Sequence, residues 1–164
     1  VAVIDDFLPV YLPRITQLTN KSNQFNLTTK RFTTAEMEQV FADDSYIRLY
    51  GRLADKFGDN GIVSVVIGEI SGDTLHIELW LMSCRVLKRG MEDAMMDTVV
   101  AEAAARGVKT IVGHYYPTAK NAMVREFYAQ YDFAKTAEDA DGNTEWTLDV
   151  AAYTPKHPHM KIER

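Results

Sequence analysis

Two long β-type runs joined by a three-residue turn constrain the fold of this chain more than any other feature. Residues Ile62–Ile70 are rich in β-branched side chains, which favour a central strand. The turn at Ser71–Asp73 makes the next run, Thr74–Ser83, antiparallel to the first. Because side chains alternate along a strand, this second run should present two faces. The predicted faces are Leu75, Ile77, Leu79 and Leu81 on one side, and His76, Glu78, Trp80 and Met82 on the other.

Helix signals and shorter β-type runs surround this hairpin. Thr33 and Glu36 form a capping box, and Gly90 and Gly107 bracket an apolar helical stretch. The predicted helices cover Leu12–Leu18, Thr33–Ala42, Met91–Ala105 and Asn121–Gln130. Further strands are predicted at Tyr46–Lys56, Lys109–Tyr115, Phe133–Ala137 and Thr144–Val150, with a turn at Phe57–Gly61.

This order of elements indicates an α/β fold with a mixed, mostly antiparallel sheet flanked by helices. A chain of 164 residues is expected to form one domain. We assign residues 1–12 to a linker, residues 13–152 to the domain and residues 153–164 to a tail.

Composition narrows the classes of function. The net charge is −5, from 18 Lys and Arg against 23 Asp and Glu, which argues against a nucleic-acid binder. The apolar runs are too short to span a bilayer, so no membrane association is expected. The single cysteine, Cys84, excludes an internal disulfide and fits a reducing, cytoplasmic setting. His157 and His159 lack acidic or thiol partners nearby, so we predict no metal site.

The segment Leu79–Met96 carries the clearest functional signal. A strand ends there, basic residues follow at Arg85, Lys88 and Arg89, and Gly90 lets the backbone turn into a helix. The first N–H groups of a helix are unpaired and suit a phosphate. We therefore predict a phosphate or pyrophosphate site, with a solvated strand-to-helix turn as the alternative.

Val86–Met91 resembles the coenzyme A loop of the GCN5-related N-acetyltransferases, whose pattern is Gln/Arg-x-x-Gly-x-Gly/Ala. The chain keeps Gly90 but has Leu87 at the first position and Glu92 at the last, so a carboxylate lies where a pyrophosphate is expected. The resemblance implies that coenzyme A, or the phosphopantetheine thioester of a carrier protein, binds this loop. The implied contacts are Arg85, Val86, Lys88, Arg89, Gly90 and Met91.

A second match follows downstream. Asn121, Phe127-Tyr128 and Phe133 resemble the Asn…Phe-Tyr…Gly-Phe ending of the same family, with Asp132 in place of the glycine. The resemblance implies that Asn121 lines the cofactor arm and that Tyr128 is a general acid for the thioester sulfur. A packed core position is the alternative for Tyr128.

Four motifs together resemble the C-terminal domain of FkbH-like proteins: Asn23–Thr29, Phe57–Val63, Ser83–Val86 and Pro117–Asn121. Such proteins carry a HAD-type domain before this one. They resemble enzymes that load a glyceryl or related hydroxyacyl unit from a phosphorylated intermediate onto an acyl carrier protein in polyketide-type pathways. The resemblance implies both as partners, the HAD-like domain and the acyl carrier protein, and makes Val1 a mid-chain residue.

Residue chemistry supplies further candidates. The Cys84 thiolate could accept an acyl group, and His114 could be a base for it, since the strands of such a fold splay where the thioester enters. Buried structural roles are the alternatives for both. The amides and hydroxyl of Asn23, Gln24, Asn26 and Thr28 could bind substrate hydroxyls, or could cap the backbone of their own loop.

These features predict an acyltransferase-type domain that helps to load a hydroxyacyl unit onto a carrier protein, with Cys84, His114 and Tyr128 as catalytic residues. Two alternatives stay open: a non-catalytic module that docks the carrier's phosphopantetheine arm, and an acetyl-CoA-dependent N-acetyltransferase.

Overall fold

The structure, a computed structural model, describes residues 1–55 and 58–164. Within these residues eight strands form one sheet: β1 Ala2–Asp6, β2 Tyr46–Asp55, β3 Gly58–Ser71, β4 Thr74–Met82, β5 Thr110–Tyr115, β6 Ala134–Glu138, β7 Thr144–Asp149 and β8 Ile162–Glu163. The α-helices are α1 Leu12–Lys21, α2 Thr34–Ala42 and α3 Met91–Ala105. The strand order is β6-β7-β5-β4-β3-β2-β1-β8. The predicted class, an α/β fold with a mixed and mostly antiparallel sheet, is confirmed.

The junction between β4 and β5 decides the architecture of the site. These strands are parallel, and they pair only from Thr74–Ile77 with Thr110–Gly113. The next residue of β4, Glu78, is an extra one, because Ile77 faces Gly68 of β3 whereas Leu79 faces Ile67. Such a bulge bends its strand and interrupts pairing. Beyond it the two strands diverge and leave a gap in the sheet.

The bulge also corrects the predicted faces of β4. Leu75 and Ile77 pack in the core under α3, as do Trp80 and Met82. Leu79 and Leu81 pack in the opposite core, with residues of α1 and α2. A single alternating pattern is therefore wrong for this strand, because the extra residue exchanges the two faces half-way.

Each face of the sheet is covered by helix. On the α3 side, Gly51 in β2 leaves room for two methionines, since a Cβ there would collide with Met91 Cε and lie 2.8 Å from Met95 Sδ. The predicted capping box of α2 is confirmed: Thr33 Oγ1 accepts from the Glu36 amide at 3.1 Å, and Glu36 Oε1 accepts from the Thr33 amide at 2.9 Å.

Both chain segments outside the predicted domain join the sheet. We predict a linker at residues 1–12, whereas Ala2–Asp6 pair with β2 as strand β1, which buries Ala2 and Ile4 completely. The tail assigned to residues 153–164 returns to the sheet, where Ile162–Glu163 pair with β1. Alternate burial of short apolar side chains explains the first strand.

Two other expectations need comment. The helix predicted over Asn121–Gln130 is instead a pair of 3-10 turns, Ala122–Val124 and Tyr128–Tyr131. Asn121, Val124 and Phe127 are buried at intervals of three, which is the period of a 3-10 turn. Within the turn predicted at Phe57–Gly61, Phe57 lies outside the described residues and Gly58–Gly61 belong to β3. No helix in the described ranges is long and apolar enough to cross a membrane.

Candidate functional site

Cys84 lies just beyond the carboxyl end of β4, at an open pocket of about 490 Å³. Ser83 Oγ accepts from the Arg85 amide at 3.3 Å, which begins a 3-10 turn that buries Val86 and leaves Cys84 exposed. The thiol donates to Gln24 Oε1 at 2.9 Å. We call this the thiol pocket; its polar lining includes Lys21, Asn23, Gln24, Ser83, Cys84 and Lys120.

The charge of the thiol pocket is one-sided. Lys21 and Lys120 bring two ammonium groups, and the lining contains no carboxylate among the residues the structure describes. Asn23 Oδ1 accepts from the Arg31 guanidinium at 2.6 Å, so a third cation lies behind the amide. Cationic walls beside an accessible sulfur suit an anionic substrate.

The two other loop residues predicted to bind substrate serve the backbone. Asn26 is fully buried, donates to Ser22 O at 3.2 Å and accepts from the Thr29 amide at 2.8 Å. Thr28 Oγ1 donates to Glu78 O, in the bulge, at 2.7 Å. The structure therefore separates the predicted group: Asn23 and Gln24 face the thiol pocket, whereas Asn26 holds its own loop and Thr28 ties that loop to β4.

The gap between β4 and β5 is filled by the chain itself. Residues Phe25–Leu27, which we call the bridging segment, lie against the second half of β4, with Asn26 opposite Leu81 in an antiparallel bridge. Three backbone hydrogen bonds hold the segment to both strands: Leu27 N to Trp80 O at 3.1 Å, Met82 N to Phe25 O at 3.0 Å, and Tyr116 N to Leu27 O at 2.9 Å.

Asn121, predicted to line a cofactor arm, fastens the bridging segment. Its Nδ2 donates to Asn26 O at 2.9 Å and to Tyr116 O at 3.0 Å. Its Oδ1 accepts from Tyr115 Oη at 3.2 Å and from the Thr118 amide at 2.8 Å. The side chain is fully buried, so all its hydrogen-bonding capacity is used inside the protein.

The predicted phosphate loop is also engaged internally. The Lys88 amide donates to Glu92 Oε2 at 2.9 Å, so the carboxylate takes a backbone donor that an anion would need. Gly90 has φ +89, and a Cβ there would lie 3.2 Å from Met160 and 3.5 Å from Pro158. The C-terminal tail thus lies over the glycine. Asp97 of α3 holds that tail by accepting from the amides of residues 156 and 157 at 2.8 and 2.9 Å.

Of the other loop residues predicted to bind the cofactor, some are buried and some are exposed. Val86 and Met91 are fully buried core residues. Arg85 and Arg89 are exposed, and the Arg85 guanidinium donates to Asn60 O at 3.4 Å. The positive charge predicted from the sequence is therefore present, but it lies on the surface of a loop whose glycine is next to the C-terminal tail.

Tyr128 is placed in the core under β5. A Cβ on Gly113 would collide with its ring, so the glycine is what admits the tyrosine. The ring packs 4.8 Å from Phe133 and 6.5 Å from Trp80, centroid to centroid. Its hydroxyl is buried without a hydrogen-bond partner among the described residues, and desolvation raises the pKa of the phenol far above its ordinary value.

His114 lies in a second pocket of about 540 Å³, which we call the histidine pocket. Its ring stacks on His76 at a centroid distance of 6.0 Å. Burial lowers the pKa of His114, and the nearby Glu145 opposes that shift. The rest of the lining includes Thr28, Lys30, Glu78 and Tyr116. Cys84 and His114 therefore line different pockets, and Tyr128 lies in the core between the strands and the 3-10 turns.

Sequence reasoning did not single out the two lysines of the thiol pocket. Lys120 lies inside the Pro117–Asn121 motif, so that motif held a signal for it. Lys21, at the last turn of α1, has no local signature, because only the fold brings it beside residue 84. No cluster of His, Cys, Asp and Glu with metal-binding geometry exists in residues 1–55 and 58–164.

Solved structures of acetyltransferases share this architecture. The ribosomal-protein-S18-alanine N-acetyltransferase of Escherichia coli superimposes with a TM-score of 0.69 at 13% identity, over 98% of this chain and 100% of that one. Ard1 of Thermoplasma volcanium gives 0.69 at 18% identity, over 90% and 97%. Spermidine N-acetyltransferase of Vibrio cholerae, solved with coenzyme A and spermine, gives 0.68 at 10% identity, over 92% and 96%. No family model and no curated protein matches the sequence.

These comparisons show that the chain has the GCN5-related N-acetyltransferase fold. At such low identities the likeness concerns the fold alone. Coenzyme A bound at the predicted loop, with its arm between β4 and β5, does not fit the arrangement described above. The gap between β4 and β5 contains the bridging segment, Glu92 occupies a loop amide and the tail covers Gly90.

Proposed function

We propose that this domain is an acyltransferase that holds a hydroxyacyl unit on Cys84 and passes it to the pantetheine thiol of an acyl carrier protein. The resemblance to FkbH-like proteins supports the carrier protein as partner, together with a HAD-like domain. The fold supports acyl transfer as the kind of reaction.

The observation that carries the proposal is the exposed Cys84 thiol in a pocket with two lysines and two amides. A thiol is the side chain best suited to exchange acyl groups with another thiol. The amides of Asn23 and Gln24 match the hydroxyl groups of a glyceryl-type unit, and the lysines match a phosphate.

The chemistry balances with an acyl phosphate as donor. The Cys84 thiol gives its proton to water, and the thiolate attacks the carbonyl carbon. A C–S bond forms, and the C–O bond to phosphate breaks as phosphate leaves with the electron pair. The carrier's thiolate then attacks the new thioester, and Cys84 departs as thiolate. Lys21 and Lys120 are placed to attract the phosphorylated donor and to stabilise the departing phosphate.

Intact-protein mass spectrometry tests the covalent step. The domain is incubated with a hydroxyacyl phosphate, and the mass gain is followed before and after a phosphopantetheinylated carrier protein is added. We expect one acyl group on the protein, hydroxylamine-sensitive and transferred to the carrier. Cys84→Ser should lose the thioester and lower transfer by more than about 1000-fold, as expected for loss of a nucleophile. Transfer that survives Cys84→Ser would refute the covalent role.

The same two proteins, wild type and Cys84→Ser, distinguish the acyltransferase from the docking module predicted as an alternative. A module that only docks the carrier would bind it equally well with serine at position 84 and would show no acylated intermediate. An acetyl-CoA-dependent N-acetyltransferase would instead turn over acetyl-CoA against amines, with no dependence on Cys84.

A further inference from the structure

We infer that the bridging segment is a permanent part of the sheet, so that a pantetheine arm reaches Cys84 through the thiol pocket and never between β4 and β5. This inference rests on the proposed function for the identity of the arm. The closure of the gap itself rests on geometry alone.

The backbone of β4 beyond the bulge is the first part of the argument. In this half of the strand, Trp80 O and the Met82 amide point away from β3 toward the gap, where they meet Leu27 and Phe25. An extended arm with amide groups could lie in the gap only by pairing with these atoms. Both are already paired with the protein's own backbone, in the geometry of an added antiparallel strand.

The opposite side of the gap is closed in the same way. The Tyr116 amide, just past the end of β5, donates to Leu27 O. A segment of three residues therefore connects both strands and restores the hydrogen bonding that the bulge interrupts. Removing it would leave backbone groups unpaired in a buried place, at a cost for each that approaches a lost hydrogen bond.

Side chains anchor the segment as firmly as its backbone. Phe25 is 4% exposed and Leu27 is fully buried, and the Phe25 ring packs edge-on against Phe127 at 5.1 Å. The Asn121 side-chain amide donates to Asn26 O. Thr28, the residue after the segment, donates from its hydroxyl to Glu78 O. A displaced segment would have to expose two large apolar side chains and break these bonds together.

The thiol pocket offers the remaining route to the sulfur. Its lining runs from Lys21 through Gln24 on one side and from Met82 to Cys84 on the other, and the thiol is exposed within it. Lys21 and Lys120 also provide the charge that a phosphate-linked arm requires. An arm entering here would meet Cys84 without disturbing a backbone hydrogen bond.

Hydrogen exchange on the unmodified protein tests the closure. By NMR, the amides of Leu27, Met82 and Tyr116 should exchange as slowly as those of the β2–β3 ladder, and millimolar coenzyme A should change their rates by less than about two-fold. Binding of coenzyme A that deprotects these three amides would overturn the inference. Binding that leaves them protected would place the ligand outside the gap and support it.

Alkylation of Cys84 by bromoacetyl-pantetheine tests the route. Lys21→Trp should fill the thiol pocket and slow this reaction by about ten-fold or more relative to iodoacetamide, which needs little space. Lys21→Ala controls for lost charge, and Lys30→Trp places the same bulk at the histidine pocket, where no effect is expected. Slowing by Lys30→Trp alone would refute the route. Neither assay needs acyl transfer, so each can fail while the proposed function stands.

Discussion

The thiol pocket and the histidine pocket are neighbours with opposite character. The chain lines the first with residues 23 and 24, crosses the gap as the bridging segment, and lines the second with Thr28. The first combines an exposed thiol with lysines and amides, whereas the second combines two stacked histidines with Glu78. The bridging segment lies between Cys84 and His114, so the Cys–His pair that the sequence predicts does not form in this structure.

That contrast predicts where activity is sensitive. If the thiol pocket binds the phosphorylated donor, Lys21→Ala and Lys120→Ala should each lower kcat/KM for the donor by about ten-fold, the cost of one charge-assisted hydrogen bond. Both effects should shrink at high ionic strength, because exposed charges are screened. Lys30→Ala, in the histidine pocket, is the matched control. Steady-state kinetics that respond to Lys30 and ignore Lys21 would reverse the assignment of the pockets.

A pair of tyrosines sharpens the contrast between core and site. The Tyr128 hydroxyl has no partner among the described residues, so Tyr128→Phe should leave acyl transfer unchanged and should raise the free energy of unfolding by up to about 1 kcal/mol. Tyr131 donates to Asp93 Oδ1 at 2.7 Å, so Tyr131→Phe should lower it by about 1 to 2 kcal/mol. Urea denaturation measures both. A large loss of transfer in Tyr128→Phe would restore it as a catalytic acid.

Changing His114 in the histidine pocket should alter the pH dependence of stability more than it alters catalysis. Because burial lowers the folded-state pKa of His114 below its ordinary value of 6.5, the unfolded chain binds a proton that the folded chain resists. Its contribution is therefore complete above pH 6.5 and is lost as pH falls through the lower folded-state pKa. His114→Asn should flatten the decline of stability on acidification, measured by urea denaturation at several pH values. Equal slopes in the two proteins would contradict this.

Much of the fold could be predicted because local signals and tertiary structure agree. The capping box at Thr33, the glycine before α3 and the β-branched run of β3 each act over a few residues. The bulge at Glu78 could not be predicted, because Leu79–Met82 are apolar at every position and suit either face. The strands at both chain ends depend on partners more than 40 residues away, which local patterns do not reveal.

The site was harder to predict for the same reason. Cys84 and Gln24 are each predicted as site residues, but their contact and the exposure of the thiol are seen only in the structure, and Lys21 reaches them only through the packing of α1. Asn121 matches a family pattern, yet its amide is committed to Asn26 by a contact 95 residues apart. Residue type therefore identified the chemistry available, and tertiary contacts decided which groups remain free to use it.

The bulge at Glu78 also means that the number of residues in β4 decides which layer each later side chain faces. In a regular β4 of the same length, without the bulge, Trp80 and Met82 would point to the layer of α1 and α2, and the strand could pair with β5 along its whole length. The gap between β4 and β5 that the bridging segment fills would then not exist. A sequence without the bulge should therefore be aligned with a gap opposite Glu78. An ungapped alignment would assign every later side chain of the strand to the wrong layer.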